Sequence, residues 1–284
     1  MPRIFPTAQA ENRVICVTGR GSTKEFSCMM TNIIPDFEMV SKGQCFPLYL
    51  YDTTSNDDDL LGDTIPQRRN AITNEALQHF QRAYPDQILS KEDIFYYIYG
   101  LLHSETYRSR YADNLTKQLP RIPCVKTAED FMAFSKAGRQ LAKLHLNYET
   151  INLYTNVNIT GSIKDLHLTR EHIQGGKDQD FYVTAMKFAQ KGDKSTVIYN
   201  PSIIINNIPE QAYDYTVNGK PALEWIMERQ AVRTDKKLGI TNNANDWAIE
   251  TMHNAKYPLE LFLRVITVSL ETMKIVNALP ELNI

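Results

Sequence analysis

The first apolar runs of the chain are short. Val14–Thr18, Phe26–Thr31 and Leu48–Tyr51 set β-branched and aromatic residues between glycine and proline punctuation, which predicts strands. Residues 52–70, "DTTSNDDDLLGDTIPQRRN", are polar and predict a long loop, with Asp57–Asp59 a solvated acidic run. Beyond it the apolar spacing lengthens to that of helices. "TNEALQHFQRAYP" opens on a Thr/Asn cap and stops at Pro85. "SKEDIFYYIYGLLHSETYRSRYADNL" has Ser90 in the capping position, acids in its first turn, and Phe95, Ile98, Leu101 and Leu102 on one face. "TAEDFMAFSKAGRQLAKLHLNYE" repeats the device: Thr127 caps, and Phe131, Phe134, Leu141, Leu144 and Tyr148 recur at helical spacing.

Residues 151–206 turn back to strand and loop, with "DFYVTAM" and "STVIYNPSIIIN" the clearest strands. A helix over "GKPALEWIMERQAV", a loop over "TDKKLGITNNANDW" and a final helix follow. In "PLELFLRVITVSLETMKIVNALP" the residues Glu260, Arg264, Thr267, Glu271 and Lys274 form one polar stripe, so this is a mostly buried core helix and not a membrane span. The fold class is therefore α+β, in the order strands, helices, strands, helices. Its parts are residues 1–70, 71–150, 151–212 and 213–284, compatible with one integrated domain. Neither an internal repeat nor a low-complexity tract is present.

Composition adds little to this. The 284 residues, 43% apolar and 23% charged, can bury a sizeable core. A formal net charge of −2 gives no global attraction for nucleic acid, so such a role must rest on local basic patches. Cys16, Cys28, Cys45 and Cys124 are scattered without a CxxC pair, which argues against a disulfide framework and a zinc site and suits a reducing cytoplasm. The opening "MPRIFPTAQAENR" lacks the apolar stretch of a signal peptide.

The most enzyme-like stretch is Gly19–Lys24, "GRGSTK", between two apolar runs. A phosphate-binding loop needs a second glycine before Lys-Ser/Thr and a long helix after it. Here Thr23 precedes Lys24, "EFSCMM" follows, and Pro35 comes soon after, so the stretch reads as a glycine-permitted hairpin turn exposing Arg20 and Lys24. "NPSI" at Asn200–Ile203 differs from the base-holding Asn-Pro-Pro-aromatic tetrad of amino-methyltransferases, because Ile203 offers no stacking face; it reads as a strand-ending turn. The histidines show no HExxH spacing, His167 and His172 do not align on a helix face, and His145 reads as a satisfied core residue. No serine or cysteine sits in a nucleophile context. No catalytic residue, cofactor loop or metal site is expected in this chain.

What remains is a set of local basic clusters. Arg20 and Lys24 mark the first hairpin, and Arg68 and Arg69 end the acidic loop. Arg108, Arg110, Lys117 and Arg121 border a helix pair. Arg229 and Arg233, four apart on one helix face, lead through Lys236 and Lys237 into the asparagine-bearing "GITNNAND" loop, flanked by Trp225 and Trp247 as core anchors. Arg, Lys and Asn are the types that contact phosphates and read base edges. Each cluster alone is equally a solvated surface; together they permit DNA binding.

The segments "ENRVICVTGRGSTKEFSCMMTNIIPDFEMVSKGQCFPLYLYD", "KEDIFYYIYGLLHSETYRSRYADNLTKQLPRIP", "DFMAFSKAGRQLAKLHLNYE", "IPEQAYDYTVNGKPALEWIMERQAVRTDKKLGITNNANDW" and "LFLRVITVSLETMKIVNALP" occur in this order. Together they resemble the C-terminal specificity region of type ISP restriction-modification enzymes, over nearly the whole chain. Those bacterial polypeptides fuse a nuclease, a helicase-like ATPase, an adenine-specific DNA methyltransferase and a target-recognition domain. The resemblance implies a piece following the methyltransferase domain, whose partners are double-stranded DNA and the rest of the parent chain. S-adenosylmethionine, ATP and Mg would belong to that parent. It implies target reading for modification and cleavage; the stretch least like the family, residues about 152–196, is where sequence-specific contacts could vary while the scaffold stays put. Two other readings stay open: an enzyme of unrecognised type, which needs a pocket of convergent titratable groups, and a protein-interaction scaffold, which needs a large exposed apolar patch.

Overall fold

The computed structural model describes residues 1–52, 67–161 and 181–284; the Asp57–Asp59 run, His167, His172 and part of the 152–196 stretch lie outside them. Helices and antiparallel strands are both present, an α+β fold. The chain divides into two compact units, one of Met1–Leu146, Val217–Gly219 and Lys274–Ile284, the other of Asn147–Thr216 and Lys220–Met273.

In the first unit a sheet of order β2-β1-β3 is built from β1 (Val14–Val17), β2 (Cys28–Thr31) and β3 (Gln44–Pro47), all antiparallel. β1 is buried on both faces, and its alternation divides the work. Ile15 and Val17 join the main core, whereas Val14 and Cys16 pack with Phe5 and Val40. β4 (Tyr49–Asp52) pairs with β5 (Gln67–Asn70), so the polar stretch expected to be loop through residue 70 ends in a strand. Period-two alternation is absent there because every residue of β5 faces solvent.

The helices begin where their caps predict. Thr73 accepts from the Ala76 amide at the start of α1 (Asn74–Ala83). Ser90 and Asp93 form a capping box on α2 (Lys91–His103), and Thr127 accepts from the Asp130 amide at the start of α5 (Ala128–Leu146). The long helix expected from Ser90 onward is in fact three: α2, α3 (Glu105–Arg110) and α4 (Ala112–Leu115). Ser104 breaks it by adopting an extended conformation and capping α3 with its own side chain. The chain then folds back, and three tyrosines anchor the return: Tyr84, Tyr97 and Tyr107 donate to the carbonyls of Val125, Pro123 and Arg121 at 2.6, 2.6 and 2.7 Å. α2 is apolar almost all round and lies against α5. Tyr148 lies beyond α5 and is exposed, not part of its apolar face.

In the second unit β6 (Asn158–Gly161), β7 (Lys187–Gln190), β8 (Asp193–Asn200) and β9 (Ile203–Asn206) form an antiparallel sheet of order β6-β9-β8-β7. Asn200 turns the chain between β8 and β9, its Oδ1 accepting from the amides of Ser202 and Ile203, so "NPSI" is the expected turn. Short extended segments β10 (Thr216–Val217) and β11 (Lys220–Pro221) lead into α6 (Ala222–Arg229). The stretch "DFYVTAM", expected as a strand, is not one. Phe181 and Val183 are buried, but their backbone is held by side chains: the Asn245 amide accepts from Val183 N and donates to Val183 O, and Tyr199 donates to Phe181 O. The expected loop after α6 is instead a hairpin of β12 (Val232–Asp235) and β13 (Ile240–Asn243), followed by α7 (Ala244–Glu250). α8 (Tyr257–Asn277) follows, with Leu259, Phe262, Leu263 and Ile266 in the core, Glu260, Arg264 and Thr267 partly buried, and Glu271 and Lys274 exposed.

Candidate nucleic-acid interface

Gly19–Lys24 is a turn between β1 and β2, and no helix follows it. Its shape is fixed from the neighbouring segment. Gly19 donates to Ser41 O, and a Cβ on Gly19 would lie 1.8 Å from the Lys42 carbonyl oxygen, so only glycine fits. Lys42 donates through Nζ to Gly21 O at 2.7 Å, and Ser22 Oγ accepts from the Lys24 amide. Arg20 and Lys24 are exposed at the tip, and Lys42 adds a cation that the linear sequence does not place beside them.

Arg68 and Arg69 lie on β5 instead of ending a loop. Arg68 stacks over Tyr49 with its guanidinium 4.4 Å from the ring centre. Arg69 pairs with Asp52 at 2.7 Å, and Arg3 approaches the same carboxylate at 3.5 Å. The Arg69 hydrogen bond holds the Asp52 carboxyl below its ordinary range. Arg68 and Arg69 line an open groove of about 590 Å³ with Asn70, Ser90, Lys91 and Glu92. Arg108 serves structure: its Nε donates to Leu102 O at 2.7 Å, satisfying a carbonyl freed at the end of α2. Arg110 sits by the Tyr111 ring, and Arg121 reaches Gln118, so this cluster is spread over separate local contacts.

In the second unit Arg229 and Arg233 do not share a helix face, because α6 ends at Arg229 and Arg233 is on β12. Trp225 is half-buried between Lys220, 4.6 Å from its ring centre, and Arg229 at 5.4 Å. Arg233 pairs with Glu228 at 3.1 Å, and Lys220 bonds the other oxygen of that carboxylate, lowering its pKa. Lys236 and Lys237 are exposed at the hairpin tip. The asparagines divide by role: Asn243 caps α7, Asn245 is buried on the Val183 backbone, and Asn242 is exposed on β13. Trp247, expected as a core anchor, is 55% exposed.

The buried titratable groups are structural. His145 Nδ1 and the Tyr99 hydroxyl share a hydrogen bond of 2.6 Å, and burial pushes the histidine pKa from 6.5 down to about 3. His103 donates from Nδ1 to Tyr99 O, and its Nε2 finds no partner among the described residues. Burial pushes the Cys28 thiol up to about 12 and the Cys16 thiol higher still, so neither is a ready nucleophile. Among the described residues no His, Cys, Asp or Glu cluster is arranged to hold a metal ion, and no helix is long and apolar enough to cross a membrane.

An α+β chain with exposed cations on a glycine turn, an edge strand and a hairpin has the features of a nucleic-acid-reading domain. The chain belongs to the family described as the Type ISP C-terminal specificity domain, which matches residues 1–261. Three similar solved structures cover all of it. One is the ATP-dependent Type ISP restriction-modification enzyme LlaBIII bound to DNA, 36% identical with a TM-score of 0.83. Another is a nuclease-deletion mutant of the Type ISP enzyme LlaGI in complex with a DNA substrate mimic, 35% identical with a TM-score of 0.77. The third is a DrdV–DNA complex, 32% identical with a TM-score of 0.77. The chain spans 17%, 22% and 26% of those three chains respectively. No curated protein matches it.

Proposed function

We propose that this chain reads the DNA target of a bacterial restriction-modification enzyme working in the cytoplasm. It directs adenine methylation and cleavage carried out by other domains of the parent polypeptide, which also bind S-adenosylmethionine, ATP and Mg. The observation that carries this is the match of the whole chain to a part of enzymes solved on DNA, at 32–36% identity. Exposed Arg20, Lys24, Lys236 and Lys237 supply phosphate contacts that position the duplex, and Arg68, Arg69, Arg229 and Arg233 are the other cations offered to DNA. The test is selection from a random duplex pool by the intact parent enzyme. Enrichment of one asymmetric sequence, and methylation of an adenine within it, is expected; a pool that emerges unenriched would reject the reading.

A further inference from the structure

The β12–β13 hairpin is paired as Val232 with Asn243, Arg233 with Asn242, Thr234 with Thr241, and Asp235 with Ile240. Cross-strand partners share a face and successive residues alternate, so Arg233, Asn242, Asp235 and Ile240 line one face. The opposite face carries Val232 and Asn243, partly buried at the base of the ribbon, and Thr234 and Thr241, exposed nearer its tip. Val232 donates its amide to Thr184 O, Asn243 caps α7, and Thr234 and Thr241 join hydroxyls at 2.9 Å. The first face is open, with Arg233 and Asn242 exposed and Ile240 56% exposed. Asp235 is occupied by the turn, accepting from the amides of Lys237 and Leu238 at 2.8 and 3.0 Å. That leaves arginine, asparagine and isoleucine presented together on a two-stranded ribbon.

We propose that the β12–β13 ribbon enters the major groove of duplex DNA and reads bases through Arg233, Asn242 and Ile240, an inference that rests on the target-reading function above. The dimensions suit it: the groove, about 12 Å wide, admits a two-stranded ribbon. Four paired positions at ~3.3 Å per residue run alongside roughly four base-pair steps. The chemistry is that of direct readout. A guanidinium matches the O6 and N7 of guanine, a carboxamide matches the N6 and N7 of adenine, and an aliphatic side chain packs on the thymine methyl. Without DNA, Arg233 rests on Glu228 in a solvent-exposed ion pair. Such a pair is weak, so a guanine edge can replace the carboxylate. Lys236 and Lys237, just before Gly239 at φ +67°, flank the ribbon tip where the phosphates run.

The experiment repeats the duplex selection with the parent enzyme carrying Arg233→Lys, Asn242→Ala, Asn242→Asp or the pair Lys236→Ala and Lys237→Ala. Arg233→Lys keeps the charge but loses the fork, so discrimination at one base pair falls about ten- to a hundredfold. Asn242→Ala and Asn242→Asp lose discrimination at a different, nearby base pair. Asn242→Asp keeps the side-chain shape, so its loss separates base reading from a folding defect. The lysine pair weakens binding equally on every sequence and leaves the preferred target unchanged. Undiminished discrimination in both Arg233→Lys and Asn242→Asp overturns the ribbon proposal while the target-reading function stands. A wild-type parent that enriches no sequence overturns both.

Discussion

His103 and His145 are buried together, ring centres 5.5 Å apart, beneath Tyr99. Burial disfavours their charged forms, so both are neutral in the fold. The sign of the resulting pH dependence is fixed by which state binds more protons. Below about pH 6.5 the unfolded chain protonates these two histidines while the folded chain does not, so protons favour unfolding. Stability is therefore full above about pH 6.5 and falls as pH drops toward 3 through His145, with His103 acting in the same direction. Thermal melting of wild type and His145→Gln between pH 7 and 4 checks this. The variant is expected to melt lower at pH 7 but to lose less on acidification. Parallel curves would show that His145 does not control the acid limb.

At the scale of elements, the contact between α2 and α5 is set by two glycines. A Cβ on Gly100 would lie 2.2 Å from the Phe134 carbonyl oxygen, and one on Gly138 1.9 Å from that of Tyr96. The obstructing atoms are helix backbone and cannot rotate aside, so a methyl group there forces the helices apart. Gly138→Ala is expected to cost about 1–3 kcal/mol or more and lower the Tm by several degrees, although alanine is the better helix former. Met132→Ala, on an exposed position of α5, should change it little; equal effects of the two would contradict the tight approach. The sequence carries this helix pair plainly through Ser90, Thr127 and the apolar spacing, because caps and periodicity are local signals. It does not carry the break at Ser104, since the tyrosine-anchored return that stabilises it is non-local. The β12–β13 ribbon is hidden for a related reason. With both faces polar, it shows no alternation, and its glycine and asparagines read as loop. Among the candidate cations, residue type and exposure were legible. Which ones are engaged, as Arg69 is by Asp52 and Arg233 by Glu228, was not.

For the whole molecule, charge balance decides how DNA binding must work. Lys and Arg number 31 against 33 Asp and Glu, so no net field draws the polyanion in. Affinity has to come from the few cations that meet phosphates, each releasing condensed counterions from the duplex. With a slope of about −0.9 per neutralised phosphate, phosphate contacts from Arg20, Lys24, Arg68, Arg69, Arg229, Lys236 and Lys237 would set a limit near −6 for log K against log salt. The observed slope should be shallower than that limit, because Arg69 already holds the Asp52 carboxylate and exchanges one partner for another. Titration of a labelled duplex across a salt series measures it directly. Arg20→Ala and Lys24→Ala should each make the slope shallower by about one unit, to the same extent on target and unrelated sequence, with the Tm unchanged. Their side chains are exposed, and the turn's shape depends on Gly19 and the Ser41–Lys42 backbone instead. An unchanged slope in both variants would remove the Gly19–Lys24 turn from the phosphate-binding surface. A fall in Tm would assign its cations to holding the turn.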